Sequence, residues 1–236
     1  MDHYVLPKSE SWKMFNQIST RYDLLNHLLS FGLDIRWRKS LAKFLPKKNY
    51  VKIIDLATGT ADVLISLCRR QKNIESAVGI DLADKMLEIG RKKIEKENLS
   101  KIITLKEGDA ARILYADNAF DAATIAFGIR NVENPQIVLN EMHRVVREGG
   151  RALIMEFSLS NNFIFRAIHL FYLRTVVPIL GGMISGHIHA YRYLNQTIET
   201  FPYGEEFCQM MERSGFKNVK ANPLLFGVAT IYQGDK

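Results

Sequence analysis

The chain has 236 residues, with 47% hydrophobic and 24% charged, which fits a globular protein of one large domain able to bury a substantial core. Lysine and arginine exceed aspartate and glutamate by 32 to 25; the formal +7 is a weak attraction toward phosphate or an anionic membrane surface and leaves nucleic acid open as a partner. Two distant cysteines, Cys68 and Cys208, argue against a disulfide framework or a thiolate metal site and fit inert buried thiols in a reducing cytoplasm. The first residues lack the charged flank and apolar stretch of a signal peptide, and no window reaches about 18 uninterrupted apolar residues. The expectation is a chain neither exported nor membrane-spanning.

Between positions 11 and 45 the residues Trp12, Phe15, Ile18, Tyr22, Leu25, Leu28 and Leu29 recur at steps of three and four, which predicts amphipathic helices before the first strand. Pro46 and the turn Lys47-Lys48-Asn49 end that region. Strands at 51–56, 76–81, 102–107, 121–126 and 151–156 then alternate with helices at 61–70, 83–97 and 134–146, the rhythm of a parallel α/β sheet. After Phe157 the rhythm breaks into an apolar insertion. A helix at 203–214 and strands at 216–220 and 228–232 close the chain. The layout expected is a single domain: a helical cap at 1–48, a core at 49–157, a helical insertion at 158–203, and a closing helix and hairpin at 204–236.

The segment Val51 to Asp62 reads Val-Lys-Ile-Ile-Asp-Leu-Ala-Thr-Gly-Thr-Ala-Asp, an apolar strand that runs into Asp55 and a turn at Gly59. Ligands of open α/β sheets bind beyond the carboxyl ends of the strands, where both residues lie. The three glycines that let a backbone approach a pyrophosphate are missing, and Asp55 adds negative charge where a pyrophosphate wants none. That charge suits a ligand carrying an ammonium and a sulfonium, which is S-adenosylmethionine. Asp81 ends the second strand, where it can accept from both ribose hydroxyls; Asp109, with Ala110, follows the third, within reach of an adenine amine. For any one of these acids the alternative is a helix cap or turn residue.

With these stretches the chain resembles the class I methyltransferases, and more narrowly the family that methylates the ring carbon of demethylmenaquinone and of ubiquinone precursors. The resemblance rests on Arg21-Tyr22-Asp23-Leu24-Leu25-Asn26 with Leu29-Ser30-Phe31-Gly32, on Asp55-Leu56-Ala57 with Gly59-Thr60, and on Phe127-Gly128-Ile129-Arg130-Asn131-Val132. Glu156-Phe157-Ser158 and Tyr191-Arg192-Tyr193-Leu194 add to it. It implies a Rossmann-like fold with a mostly parallel seven-stranded sheet flanked by helices on both faces. It also implies a cofactor held by Thr60, Asp81, Asp109, Ala110 and the position of Ala126. The family usually carries glycine where this chain has Thr58 and Ala61, and a serine where it has Ala126.

Methylating a ring carbon requires an electron-rich ring, so the expected acceptor is a prenylated quinol, of which only about one molecule in a thousand ionises at pH 7 if its hydroxyl resembles a phenol. Favouring the phenolate fully is worth roughly 4 kcal/mol. Arg130, always protonated, is the expected stabiliser of the developing oxyanion. Asn131 is assigned to orienting the other hydroxyl and Tyr22 to bonding or stacking on the ring. The alternatives are a loop salt bridge for Arg130, a helix cap for Asn131 and a core position for Tyr22. No metal is required, and His187 and His189 lack a partner at ligand spacing. The insertion at 161–190, with Phe163, Phe165, Ile168, Phe171 and Ile179 among basic residues, fits a greasy lid or a peripheral contact with the inner face of the membrane; plain packing of a long helix, with a homodimer contact, is the alternative. A nucleic-acid methyltransferase is a poor fit, because the segment after the fourth strand has no proline and the basic residues form no dense patch. A methyltransferase of another small molecule and a non-catalytic, cofactor-binding partner protein remain as rival readings.

Overall fold

The computed structural model describes residues 7–185 and 188–236. Its strands are β1 (Val51–Leu56), β2 (Ile74–Asp81), β3 (Ile103–Glu107), β4 (Phe120–Ala126), β5 (Val146–Phe157), β6 (Lys217–Leu224) and β7 (Ala229–Asp235). They form one seven-stranded sheet in the order β3-β2-β1-β4-β5-β7-β6. The first five are parallel, and β7 runs antiparallel to both β5 and β6. The chain moves outward from β1 to β3 and then returns to β4, so the crevice beyond the carboxyl ends of β1 and β4 is the switch point at which ligands of such sheets bind.

Helices α1 (Ser11–Leu29), α2 (Leu33–Leu41), α3 (Asp62–Arg70), α4 (Asp84–Lys96), α5 (Pro135–Val145), α6 (Phe163–Phe171), α7 (Val177–Ser185), α8 (Ile188–Thr200) and α9 (Glu205–Arg213) surround the sheet. Alternation along β1 distributes the core between two layers. Ile53 packs with Leu64 and Leu67 of α3 and Leu87 of α4, whereas Ile54 packs with Val138 and Met142 of α5 and Phe207 of α9. Both β1 and β4 are buried almost throughout, as strands covered on two faces must be. A third cluster, with Ile18 and Leu25 of α1, Leu173, Val177, and Tyr191 and Ile198 of α8, joins the N-terminal helices to the insertion.

Local chemistry fixes the ends. Asn134 caps α5 by accepting from the Gln136 amide at 3.0 Å, with Pro135 in the first turn, where its missing N–H costs nothing. Asn162 caps α6 through the amides of Ile164 and Phe165. A π-helical turn, Tyr172–Val176, links α6 to α7, so that Phe163–Ile184 is one helix of 22 residues, long and apolar enough by length and composition to cross a membrane. In this structure α7 packs on α1 and α8. Several boundaries differ from the sequence reading, three of them with a local cause. β5 starts at Val146, and its pairing with β4 shifts register around the Gly149 turn. α9 starts only after Pro202 and Gly204, the latter at φ 62. β6 runs on to Leu224 because Pro223 lies on an edge strand, where a missing N–H is tolerated.

Candidate active site

Two cavities meet at the carboxyl edge of the sheet. The first, about 650 Å³, opens above β1, β2 and β4 and is lined by Gly59, Asp81, Asp109, Ala110 and Ala126, with Leu82, Met86 and Ile137 as apolar walls. Asp81 accepts from the Gly59 amide at 2.8 Å with one oxygen and from the Ala83 amide at 2.8 Å with the other. Burial pushes this carboxyl up, against the pull of those amides. Asp109 accepts from the Ala111 amide at 2.8 Å. Gly59 has φ 55, and a Cβ there would stand 3.4 Å from the Met86 methyl and narrow the cradle. Two carboxylates among apolar walls suit a nucleoside whose ribose and base amine donate hydrogen bonds, and they repel a pyrophosphate. The residues present fit S-adenosylmethionine.

Asp55 and Thr60, expected among the cofactor contacts, do not line this cavity. Asp55 is buried beneath the turn, where its oxygens accept from Thr124 Oγ1 at 2.5 Å and Thr58 Oγ1 at 2.6 Å. Burial, with the nearby Asp81 charge adding to it, pushes its carboxyl up to about 7. The expectation that Asp55 faces a cationic ligand is therefore corrected: its side chain organises the turn from below. Thr60 Oγ1 donates to Asp23 at 2.7 Å and accepts from Lys93 Nζ at 2.9 Å, while Lys93 also contacts Asp23 at 2.7 Å and Asp62 at 2.6 Å. This cluster ties α1 to the turn. Ala61 takes φ 64 and Ala57 φ 47, so the turn keeps a glycine-like path through residues that carry a Cβ.

The second cavity, about 480 Å³, lies between α1, the insertion helices and the ends of β4 and β5. Its walls are aromatic and aliphatic, with Phe127 and Phe157 rings 4.6 Å apart and Trp37 at 6.2 Å from Phe127. Arg130 lines it but is also a buried ion pair: its guanidinium donates to Glu156 Oε1 at 2.6 Å and to the Phe127 carbonyl at 2.7 Å. Burial raises the Glu156 carboxyl and Arg130 opposes that rise. The salt-bridge alternative thus holds at Arg130 together with a place in the cavity wall. Asn131 is no helix cap, since Asn134 caps α5; its backbone carbonyl accepts from the Ser11 hydroxyl at 3.4 Å. Tyr22 packs edge-on against Phe15 at 5.8 Å, and burial raises its phenol.

Phe15, Tyr22, Phe127 and Asn131 line both cavities and form the partition between them. The sequence reading did not assign roles to Glu156, Tyr193 or His169, although Glu156 and Tyr193 fall in stretches that carried the resemblance. His169 is a buried wall residue of the second cavity, and no periodic signal separated it from its apolar neighbours. His187 lies outside the described residues; His189 is exposed. Among the described residues no group of three or more His, Cys, Asp or Glu could hold a metal ion. Both cysteines are free and buried, and burial pushes the Cys68 thiol up to about 12.

A crystal structure of an S-adenosylmethionine-dependent methyltransferase from Thermotoga maritima superposes with a TM-score of 0.67 over 95% of this chain and 99% of that one, at 17% identity, which is a likeness of fold. The ubiquinone/menaquinone biosynthesis C-methyltransferase UbiE of Geotalea uraniireducens is 41% identical over 224 residues, 95% of each chain. The demethylmenaquinone methyltransferase of Thermus thermophilus is 44% identical over 223 residues, 94% of this chain and 100% of that one. Residues 5–236 match the ubiE/COQ5 methyltransferase family, and the chain belongs to that family.

Proposed function

We propose that this chain transfers a methyl group from S-adenosylmethionine to a ring carbon of a prenylated demethylmenaquinol, with a ubiquinone-precursor benzoquinol as a second acceptor. The observation that carries this reading is the pairing of a carboxylate-lined cavity with an apolar one across a partition of four residues. Gly59, Asp81, Asp109, Ala110 and Ala126 would hold the donor, with Asp55 and Thr60 shaping the turn behind it. When bound, S-adenosylmethionine supplies an electrophilic methyl on a cationic sulfur. Tyr22, Phe127 and Asn131 then keep the quinol ring beside the partition and exclude water, so that much of the rate comes from orientation. Arg130 faces the same cavity and stabilises negative charge on the quinol oxygen, although Glu156 draws off part of its field.

The apolar cavity suits an isoprenoid tail. Its wall residues Phe165 and Ile168 are themselves partly solvent-exposed and continue into an outer face of Phe163, Phe171, Ile179 and Met183. A face of this kind, rather than a scatter of single apolar residues, supports peripheral contact with a bilayer, where such a quinol resides. Incubating the purified chain with methyl-labelled donor and short-tailed demethylmenaquinol or benzoquinol should yield labelled ring-methyl product, and none from the oxidised quinones. Donor binding without label in either product overturns the reading.

A further inference from the structure

Three polar atoms in the wall of the apolar cavity lack a hydrogen-bond partner among the described residues. They are His169 Nδ1, Arg130 Nε and Tyr193 Oη, and the last two belong to residues at 3% and 8% exposure that act on one another. The Ser11 hydroxyl stands near Tyr193 and opposes the rise of its phenol, but not in a geometry that makes a hydrogen bond. An orphaned buried donor is costly, so the neighbouring pair at Arg130 and Tyr193 marks the place of a ligand oxygen. They are close enough for the Arg130 charge to act on the Tyr193 phenol, which burial otherwise raises and keeps protonated. Glu156 already occupies one terminal nitrogen of Arg130 and offsets its charge, so the guanidinium alone is a weakened stabiliser.

We infer that Tyr193 is a second catalytic donor, giving its hydroxyl hydrogen to the quinol oxygen that also meets Arg130 Nε. The inference rests on the quinol-methylating reading above. The ring hydrogen leaves to water and the oxygen is reprotonated only after the ring carbon has taken the methyl and the carbon–sulfur pair has stayed on sulfur; before that, loss of the quinol hydroxyl proton to water gathers charge on that oxygen. A neutral phenol and a half-compensated guanidinium then share it, where neither suffices alone. Tyr193 stands on α8, in the stretch Tyr191-Arg192-Tyr193-Leu194, which gives that stretch a chemical reason beyond packing.

Tyr193→Phe keeps the ring and removes only the hydroxyl. Turnover of short-tailed demethylmenaquinol should fall about ten- to a hundredfold, with the donor Kd unchanged within about twofold. A prenylated nitronaphthol, whose ionised form absorbs visible light, gives a readout free of turnover. Bound to the wild type it should titrate below its value in water, and in Tyr193→Phe on the order of tenfold less readily. Unchanged turnover and unchanged titration in the variant overturn the inference. A wild type that methylates no quinol, yet differs from the variant in the probe titration, leaves the donor pair standing and removes the substrate.

Discussion

Asp55 is buried beneath the turn, where its two oxygens accept from Thr124 and Thr58. A carboxylate after an apolar strand reads as a ligand group, and the strand-then-glycine pattern gives no sign that Thr124, distant in the chain, bonds it from β4. Its unfolded carboxyl titrates near 3.9, and the folded one is pushed up to about 7. The folded chain therefore holds an extra proton between those values, and stability falls as pH rises from about 4 through about 7. Asp55→Asn is neutral throughout and still offers an acceptor to one of the two threonines. Its urea midpoint should change less between pH 5 and pH 8 than that of the wild type, and it should be the more resistant protein at pH 8. Equal pH dependence in the two proteins would show that Asp55 is ionised throughout. Thr58, where the family usually has glycine, contributes a hydroxyl to this same carboxylate, so the departure adds a donor instead of spoiling the turn.

At the scale of elements, the parallel core was legible because buried strands and amphipathic helices carry opposite periodicities; β1 was read to the residue. The limits of β5 and β6 were not, since a glycine turn inside a strand and a proline on an edge are decided by neighbouring strands and not by local pattern. The insertion was legible as apolar and helical, but its π-turn was not. Its outer face provides a direct test of membrane contact. Phe171 and Met183 are 65% and 78% exposed and lie outside the cavity walls. In flotation with anionic vesicles the wild type should rise with the lipid, and Phe171→Glu with Met183→Glu should lose most of that binding while retaining turnover of a short-tailed quinol within about twofold. A wild type that stays at the bottom with every vesicle composition would remove the membrane contact.

The partition belongs to the whole molecule, because its four residues come from α1 and from the loop after β4, segments that only the complete fold brings together. Sequence could name Tyr22 and Asn131 separately, through the resemblance, but no local pattern could place them on one wall between two cavities. That wall has a thermodynamic consequence. On the proposed reading each ligand would pack against the same side chains, so whichever binds first would order them and spare the second that entropic cost. The tie from Asp23 to Thr60 and Lys93 strengthens the argument, since it joins the helix carrying Phe15 and Tyr22 to the turn that shapes the donor cavity. S-adenosylhomocysteine should therefore bind more tightly in the presence of an unreactive prenylated phenol, by roughly five- to a hundredfold, and the phenol should gain the same factor from S-adenosylhomocysteine, as linkage requires. Calorimetric titration of each ligand with and without the other measures both factors. If neither affinity moves, the partition separates the two sites without coupling them, and the ordering of substrates must come from somewhere other than this wall.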